Sequence, residues 1–275
     1  MKTSYLWLTV IAYMTFIHLV TAQEQWIFKS PYLSKPDTVL VFKPASYQAT
    51  NKYPLTYLLH GYSANYKQWS LTTDCQQLAN QYQMIIVCPD GFVSWYVNSP
   101  FDKGSRMEDF FFNELVPYVH QHLQIDSNNV FISGLSMGGY GALRYFLLHP
   151  DYFNTAGSTS GGLEVDYPLL KSASILFFKN PRVTDDLTKL LGKPGNTWHI
   201  YNIVSLLKEA KTKPKSFLVD CGTEDILFPV HQRLKTTCDQ LNIPVTYISQ
   251  PGNHNTEYWH NAIQHHFIYF SQHIR

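Results

Sequence analysis

The sequence has little charge and almost no net charge. Of its 275 residues 15% are charged, and 21 Lys and Arg stand against 20 Asp and Glu. A nucleic-acid-binding protein usually carries a basic excess or a basic stripe, and the sequence contains neither. A disordered chain combines low hydrophobicity with a large charge imbalance, whereas 45% of these residues are hydrophobic and 15% are aromatic. The composition therefore excludes both classes and indicates a globular protein with a large packed core.

Cysteine is also scarce. The four cysteines are Cys75, Cys88, Cys221 and Cys238, and no two of them have the C-x-x-C spacing of a zinc or redox motif. Cys88 and Cys221 each end a short apolar run of the kind that forms strands, so we interpret both as buried free thiols. Whether any of the four pair is open at this point. We predict neither a metal site nor a cofactor.

Only one apolar run is long, and it lies at the N-terminus. Lys2 precedes an apolar stretch from Leu6 to Val20, and the small residue Ala22 follows it. This order is typical of a secretory signal peptide, and the stretch is shorter than the ~20 residues that a membrane-spanning helix needs. We therefore predict a signal peptide over residues 1–22 and a secreted or periplasmic protein, with a retained anchor as the alternative. No later run is long enough to cross a bilayer, so we expect no membrane contact after cleavage.

Short apolar strands alternate with helical segments along the rest of the chain. Strand patterns occur at 38–42, 55–60, 84–89, 129–133, 155–160, 216–220 and 245–249, and helical patterns at 74–83, 108–123, 140–149, 231–241 and 257–273. This alternation predicts an α/β fold, with a mainly parallel twisted central sheet and helices on both faces. Residues 161–213 lack a strand of the usual kind. We interpret them as an inserted cap-like region within a single domain that spans residues 23–275.

The segment Gly134-Leu135-Ser136-Met137-Gly138 carries the strongest chemical signal. A serine hydroxyl becomes a useful nucleophile only when a base takes its proton and the backbone presents its oxygen. The G-x-S-x-G elbow presents it at a strained corner between a strand and a helix. A strand pattern precedes this segment and a helical pattern follows it, so we predict that Ser136 is a nucleophile. An idle serine in a glycine-rich turn is the alternative.

Two backbone N–H groups are the expected donors of an oxyanion hole. Met137 follows the nucleophile at the start of a helix, where the amides point toward the site. Tyr62 follows His60-Gly61, in the loop after an early strand, where the second donor of this fold comes from. We interpret His60 itself as a hydrogen-bonding residue beneath that loop rather than as a base.

A base and an acid are expected downstream of the serine, in the order serine, acid, histidine. Of the 12 histidines, only His254 lies on a loop rich in Gly and Pro directly after a late strand, so we predict that it is the base. Asp220, Glu224 and Asp225 all lie at the end of the preceding strand, and spacing does not choose among them. The histidines of the terminal helix are interpreted as surface residues that bind no metal: His260, His265 and His266.

In combination these motifs resemble the putative-esterase family of α/β-hydrolases. The resemblance is carried by LLHGY at 58–62, GLSMGG at 134–139, CGTED at 221–225 and PGNH at 251–254. The family includes esterase D and S-formylglutathione hydrolases, tributyrin esterases, feruloyl esterases and mycolyltransferases. It implies an α/β-hydrolase fold over nearly all of the chain, with Ser136 as nucleophile, Asp225 as acid and His254 as base. Asn on both sides of His254 departs from the family pattern, which has Gly before the histidine and Asp after it.

The resemblance also suggests a substrate. The segment SWYVNSP at 94–100 is similar to the secreted feruloyl and tributyrin-type esterases, and it follows a strand at its carboxyl end. We therefore predict that Trp95, Tyr96 and Asn98 line the mouth of the site, although the two rings could instead pack this loop against the cap-like region. The leading hypothesis is a secreted serine carboxylesterase without a cofactor. Its expected substrates are small-molecule or polysaccharide-linked esters. Among these, the resemblance favours feruloyl or acetyl esters of plant-type polysaccharides.

Three alternatives remain open from the sequence. On the same fold an alcohol can replace water, which makes an acyltransferase, and a thioesterase that acts on S-formylglutathione is a further enzyme of the family. A non-catalytic binding module with this fold is the alternative from another class. The sequence predicts no oligomeric state and no partner other than the ester substrate.

Overall fold

An eight-stranded sheet forms the centre of the molecule. The computed structural model describes residues 23–195 and 197–275, so the predicted signal peptide lies outside the described residues. The strands are β1 (Gln23–Phe28), β2 (Asp37–Phe42), β3 (Tyr53–Leu59), β4 (Ile85–Pro89), β5 (Ile125–Gly134), β6 (Thr155–Thr159), β7 (Phe217–Gly222) and β8 (Val245–Gln250). Their spatial order is β1-β2-β4-β3-β5-β6-β7-β8. Among these strands the pairings of β2 with β1 and with β4 are antiparallel, and the remaining pairings are parallel.

Helices occupy most of the connections between the strands. They are α1 (Gln68–Thr72), α2 (Cys75–Tyr82), α3 (Met107–Phe110), α4 (Val116–His122), α5 (Met137–Leu148), α6 (Tyr167–Phe178), α7 (Arg182–Leu191), α8 (Ile203–Glu209), α9 (Phe228–Gln240) and α10 (Thr256–Ser271). A π-helical turn, Phe111–Leu115, joins α3 to α4, and a 3₁₀ turn, Trp198–Tyr201, precedes α8. Within the described residues no helix is long and apolar enough to span a membrane.

The apolar core lies on both faces of the sheet. Side chains alternate along β2, so Val39 and Val41 join one buried cluster while Leu40 and Phe42 join the other. The first cluster contains the inward faces of α5, α7 and α9, and the second contains those of α2 and α10. Strands buried on both faces are typical of parallel sheets covered by helices. The predicted fold class is confirmed.

The sequence patterns missed β1 and misplaced the start of α5. Residues of β1 alternate between exposed and half-buried, because this strand lies at the edge of the sheet and has no fully buried face to mark it. The helix α5 begins at Met137, directly after Ser136, whereas the pattern predicts a start at 140. Between β6 and β7 the described residues form α6, α7, the 3₁₀ turn and α8 without a strand.

All four cysteines are buried free thiols. The interpretation of Cys88 and Cys221 is therefore confirmed, and the question left open for all four is answered, since none of them pairs. Burial raises the pKa of the Cys221 thiol, as expected for an ionisable group in an apolar core. Across residues 23–195 and 197–275, no three His, Cys, Asp or Glu side chains cluster closely enough to hold a metal ion.

The interpretation of His266 as a surface residue is wrong. Its side chain is fully buried against the sheet, with Nε2 at 2.5 Å from Asp220 Oδ2 and Nδ1 at 2.7 Å from Ser133 Oγ. The Thr159 hydroxyl donates to Asp220 Oδ1 at 2.6 Å. The helical pattern did not identify this histidine because α10 buries one whole face on the sheet, and polar partners on β5 and β7 satisfy the imidazole there. His260 is exposed and His265 is half-buried.

We expect His266→Ala to lower the free energy of unfolding by about 3–5 kcal/mol, because removing one partner leaves the Asp220 carboxylate buried without it. Urea unfolding followed by circular dichroism measures the change. His265→Ala is the matched control, since it truncates the same residue type one position earlier on α10. Equal stabilities of the two variants would contradict the role given to the buried pair.

Candidate active site

Ser136 lies at a strained corner between β5 and α5. Its backbone has φ of 54° and ψ of −118°, a conformation that non-glycine residues rarely adopt. Its N–H donates to Thr159 O at 3.0 Å. A Cβ atom on Gly138 would lie 2.2 Å from the carbonyl oxygen of Leu59. Only glycine therefore allows the start of α5 to approach β3 this closely, and the predicted elbow geometry is present.

Three side chains from three loops form a continuous hydrogen-bonded chain. His254 Nε2 lies 3.0 Å from Ser136 Oγ, and His254 Nδ1 lies 2.8 Å from Asp225 Oδ2. Ser136 follows β5, Asp225 follows β7 and His254 follows β8. These strands are parallel, so their carboxyl ends meet at one edge of the sheet. The structure thus brings together a hydroxyl, an imidazole and a carboxylate in the order that activates a serine.

Asp225 is a buried carboxylate whose partners keep it ionised. Burial raises its pKa. The hydrogen bond and charge of His254 lower the pKa by more than burial raises it, together with the hydrogen bond that the Leu227 N–H donates to Oδ1 at 2.9 Å. The net pKa lies below the ordinary value of an aspartate. Asp225 therefore remains an acceptor for the His254 Nδ1–H at neutral pH, which fixes the imidazole tautomer with Nε2 directed at the serine.

The geometry separates the three acids that spacing left equivalent. Asp220 binds His266 of α10 rather than His254, as described above. Glu224 is exposed and contacts the Asn253 side chain at 3.3 Å. Asn255 caps α10 by accepting from the Tyr258 N–H at 2.9 Å. The two asparagines that depart from the family pattern therefore hold the loop around His254 from outside, and Asp225 is the acid that reaches it.

The loop between β3 and α1 (residues 60–67), termed here the β3–α1 loop, lies beside Ser136. A Cβ on Gly61 would be 3.4 Å from Ser136 Cβ, and the Gly61 N–H donates to Gln68 Oε1 at 2.7 Å. Among the described residues, the backbone N–H groups of Tyr62 and Met137 have no acceptor. Both are positioned next to the serine in sequence or in space, and both are available to an oxygen of a ligand.

His60 lies beneath the same loop and is buried. Its Nε2 accepts from the Gly91 N–H at 2.6 Å, and its Nδ1 lies 2.7 Å from Gly61 O. These contacts agree with the interpretation of His60 as a hydrogen-bonding residue. They leave it no contact with Ser136.

A largely apolar pocket of about 230 Å³ opens onto Ser136 and His254. Helices α6 and α7 of the cap-like region supply much of its wall, through Leu170, Ala173, Phe177, Phe178 and Val183. The remaining wall includes Trp95, Leu135, Leu227 and Trp259. The cap-like region thus shapes the space in front of the serine.

Two rings hold the imidazole of His254. Phe177 of α6 stacks on it, with ring centroids 4.9 Å apart and an interplanar angle of 24°, and Trp259 of α10 meets it edge-on at 5.1 Å. Sequence reasoning missed both rings, and Gln68 as well. No local motif marks Phe177 or Gln68, whereas Trp259 lies five residues after His254 on an amphipathic helix and could have been considered.

The prediction of Trp95, Tyr96 and Asn98 as residues at the mouth needs correction. Trp95 lines the pocket, but it is 3% exposed and packs against Gly162 and the Tyr140 ring. Tyr96 is fully buried away from the pocket and donates from its hydroxyl to His60 O at 3.0 Å. Asn98 binds Asp109 through its side-chain amide at 2.9 Å. The segment folds inward because its rings pack on α5, Trp95 against Tyr140 and Tyr96 against Tyr145, so it supports the site rather than lining its mouth.

An elbow serine, a histidine and a carboxylate at the carboxyl edge of a mainly parallel sheet define a serine-hydrolase site on an α/β-hydrolase fold. A family model described as "Putative esterase" matches residues 30–271. The chain belongs to this esterase family and is a carboxylic ester hydrolase.

Individual relatives agree with this assignment. The chain is 28% identical over 263 residues to an acetyl esterase of Caldicellulosiruptor saccharolyticus, a match that covers 89% of this chain and 96% of the relative. The fluorophosphonate-binding serine hydrolase F of Staphylococcus aureus superposes with a TM-score of 0.78 at 22% identity, covering 91% of this chain and 98% of that one. A ferulic acid esterase gives 0.76 at 22% identity, covering 92% and 98%. The two structures are similar in fold.

Proposed function

We propose that this chain is a secreted serine carboxylesterase that acts through Ser136, His254 and Asp225. The observation that carries the proposal is the unbroken hydrogen-bonded chain from Asp225 through His254 to the Ser136 hydroxyl, at the opening of an apolar pocket. The side chain of Asp225 is fully buried and that of His254 is 9% exposed. These hydrogen bonds are therefore shielded from water except where Ser136 meets the pocket.

The geometry supports a two-step reaction through an acyl-enzyme. His254 Nε2 takes the proton of Ser136 as Oγ attacks the ester carbonyl carbon, and Asp225 stabilises the imidazolium that forms. The N–H groups of Tyr62 and Met137 donate to the oxyanion of the tetrahedral intermediate. The imidazolium then protonates the leaving alkoxide and the alcohol departs. In the second step His254 deprotonates water as it attacks the acyl carbon, and the imidazolium then protonates Ser136 Oγ as the bond between Oγ and the acyl carbon breaks and the acid departs.

Substitutions of the three groups test this assignment. We expect Ser136→Ala to lower kcat for a nitrophenyl ester by ~10³-fold or more, because it removes the nucleophile. Asp225→Asn should lower kcat by roughly 10⁴-fold, since the amide no longer holds His254 in the required tautomer. Initial rates of nitrophenol release measure both losses.

Glu224→Gln is the matched control for Asp225→Asn. It removes the carboxylate next to Asp225, which contacts Asn253 rather than His254. Turnover should therefore stay close to that of the wild type. Near-native turnover by Ser136→Ala would exclude the serine mechanism, and a wild type without turnover would favour the non-catalytic module. Formation of a new ester when an alcohol is added in excess would identify an acyltransferase.

For the substrate, we propose acetyl or feruloyl esters carried by plant-type polysaccharides. The relatives include an acetyl esterase, and similar structures include a ferulic acid esterase. The apolar and aromatic wall of the pocket suits a short acyl chain or an aromatic ring. Glutathione is anionic, and none of the described lining residues is Lys or Arg. This lining disfavours S-formylglutathione.

A hydrolysis panel distinguishes these substrates. We expect kcat/KM for nitrophenyl acetate and methyl ferulate to exceed that for S-formylglutathione by at least about tenfold, the effect of one missing charge contact worth ~1.4 kcal/mol. Release of acetate or ferulate from plant cell-wall polysaccharide extends the same comparison to polymers. Preference for the thioester would contradict this substrate class and leave the serine esterase assignment in place.

The export part of the proposal rests on the apolar run and small residues of 1–22. We expect the protein recovered from the culture medium or periplasm to begin at Gln23. N-terminal sequencing or intact mass measures this. Recovery in the cytoplasmic fraction with residues 1–22 still attached would contradict export.

A further inference from the structure

The side chain of Tyr62 is held by the cap-like region. Its hydroxyl donates to Asp186 Oδ2 on α7 at 2.6 Å. Its ring meets Phe178 of α6 edge-on, with centroids 5.6 Å apart. The guanidinium of Arg182 lies 5.4 Å from the Tyr62 ring centroid and 5.0 Å from that of Phe178. Both cap helices at the pocket therefore contact Tyr62, which lines the pocket beside Ser136 and whose backbone N–H is the expected oxyanion donor.

Asp186 is fixed as an acceptor for this hydroxyl. Lys189, one turn later on α7, donates to its other oxygen, Oδ1, at 3.1 Å. Burial and the hydrogen bond to Asp186 raise the pKa of Tyr62 to about 12. The phenol thus remains protonated and keeps donating at neutral pH.

The β3–α1 loop is also anchored at the preceding peptide unit, between His60 and Gly61. The Gly61 N–H donates to Gln68 Oε1 at 2.7 Å, so Gln68 of α1 holds the backbone just before Tyr62 and Asp186 holds the Tyr62 side chain. Between these two anchors, the Tyr62 N–H has no acceptor in the described part of the chain. Donors to an oxyanion stabilise it most when they are held in place before the reaction.

We propose that Asp186 is a positioning residue that holds the Tyr62 N–H in place through the Tyr62 hydroxyl, so that the cap-like region takes part in oxyanion stabilisation. This inference rests on the proposed function. The transition state carries the oxyanion and the bound substrate does not. Loss of the Asp186 contact therefore slows turnover more than it weakens substrate binding.

We expect Asp186→Ala and Tyr62→Phe each to lower kcat for nitrophenyl acetate by about tenfold, less than the ~10²–10³-fold cost of deleting an oxyanion donor. KM should change by less than about twofold, because ground-state binding uses the apolar wall. Affinity for an alkyl trifluoromethyl ketone, whose adduct with Ser136 carries an oxyanion, should fall by the same factor as kcat. The double variant should be no slower than either single one, because both remove one shared contact.

Two further variants separate positioning from a general effect on the cap-like region. Asp186→Asn keeps an oxygen that accepts the Tyr62 hydroxyl proton, so it should recover most of kcat. Asp185→Ala removes the neighbouring exposed acid of α7 and should behave like the wild type. Thermal unfolding of each variant measures stability alongside.

Three results would overturn the positioning role. They are a wild-type kcat in Asp186→Ala, a rise in KM without a fall in kcat, and an Asp186→Asn variant as slow as Asp186→Ala. Each leaves hydrolysis by the wild type intact and so leaves the proposed function standing. The proposed function would instead be contradicted if the wild type showed no turnover and Ser136→Ala did not differ from it.

Discussion

The site depends first on the left-handed backbone at Ser136. With φ of 54° the residue is strained, and its neighbours hold it there. Its N–H donates to Thr159 O at the end of β6, while its carbonyl accepts from Gly162 N–H at 3.1 Å and from Tyr140 N–H at 3.1 Å. The corner is therefore bonded to a neighbouring strand, to the start of the cap-like region and to α5. A flexible turn could not keep the hydroxyl within 3.0 Å of His254 without these bonds.

Two imidazole–carboxylate pairs lie near β7, Asp220 with His266 and Asp225 with His254, and their surroundings give them different chemistry. Asp220 and His266 are wholly enclosed, and their remaining polar atoms meet hydroxyls of the sheet, so this pair joins α10 to the core. Asp225 is enclosed in the same way, but the His254 ring reaches the pocket between Phe177 and Trp259. An aspartate and a histidine thus stabilise the fold where both are buried, and the second such pair reaches the pocket because its histidine is partly exposed.

The sequence predicted what local patterns encode. Apolar strands, helical spacing and the elbow gave the α/β class, and the Gly/Pro-rich loop after a late strand led to His254. Three features depend on contacts between distant segments, and local patterns do not carry these. The resemblance to the esterase family chose Asp225 over Asp220, whereas local spacing did not, because that choice depends on which histidine each carboxylate meets. The inward folding of Tyr96 follows from glycines on other elements, because a Cβ on Gly141 would lie 2.4 Å from the Tyr96 ring. The contacts of the cap-like region with the site were equally hidden.

The cap-like region connects substrate selection to catalysis, because the same two helices do both. Helix α6 places Phe177 on the imidazole and Phe178 on Tyr62, and α7 places Asp186 on the Tyr62 hydroxyl. Both helices also form the pocket wall. Under the proposed function, a change of acyl specificity by substitution in α6 or α7 therefore also acts on the base and on an oxyanion donor. Leu170 and Ala173 line the same pocket but have no ring to stack on His254 and no polar atom to bind the Tyr62 hydroxyl, so they are the positions where the two effects can be separated.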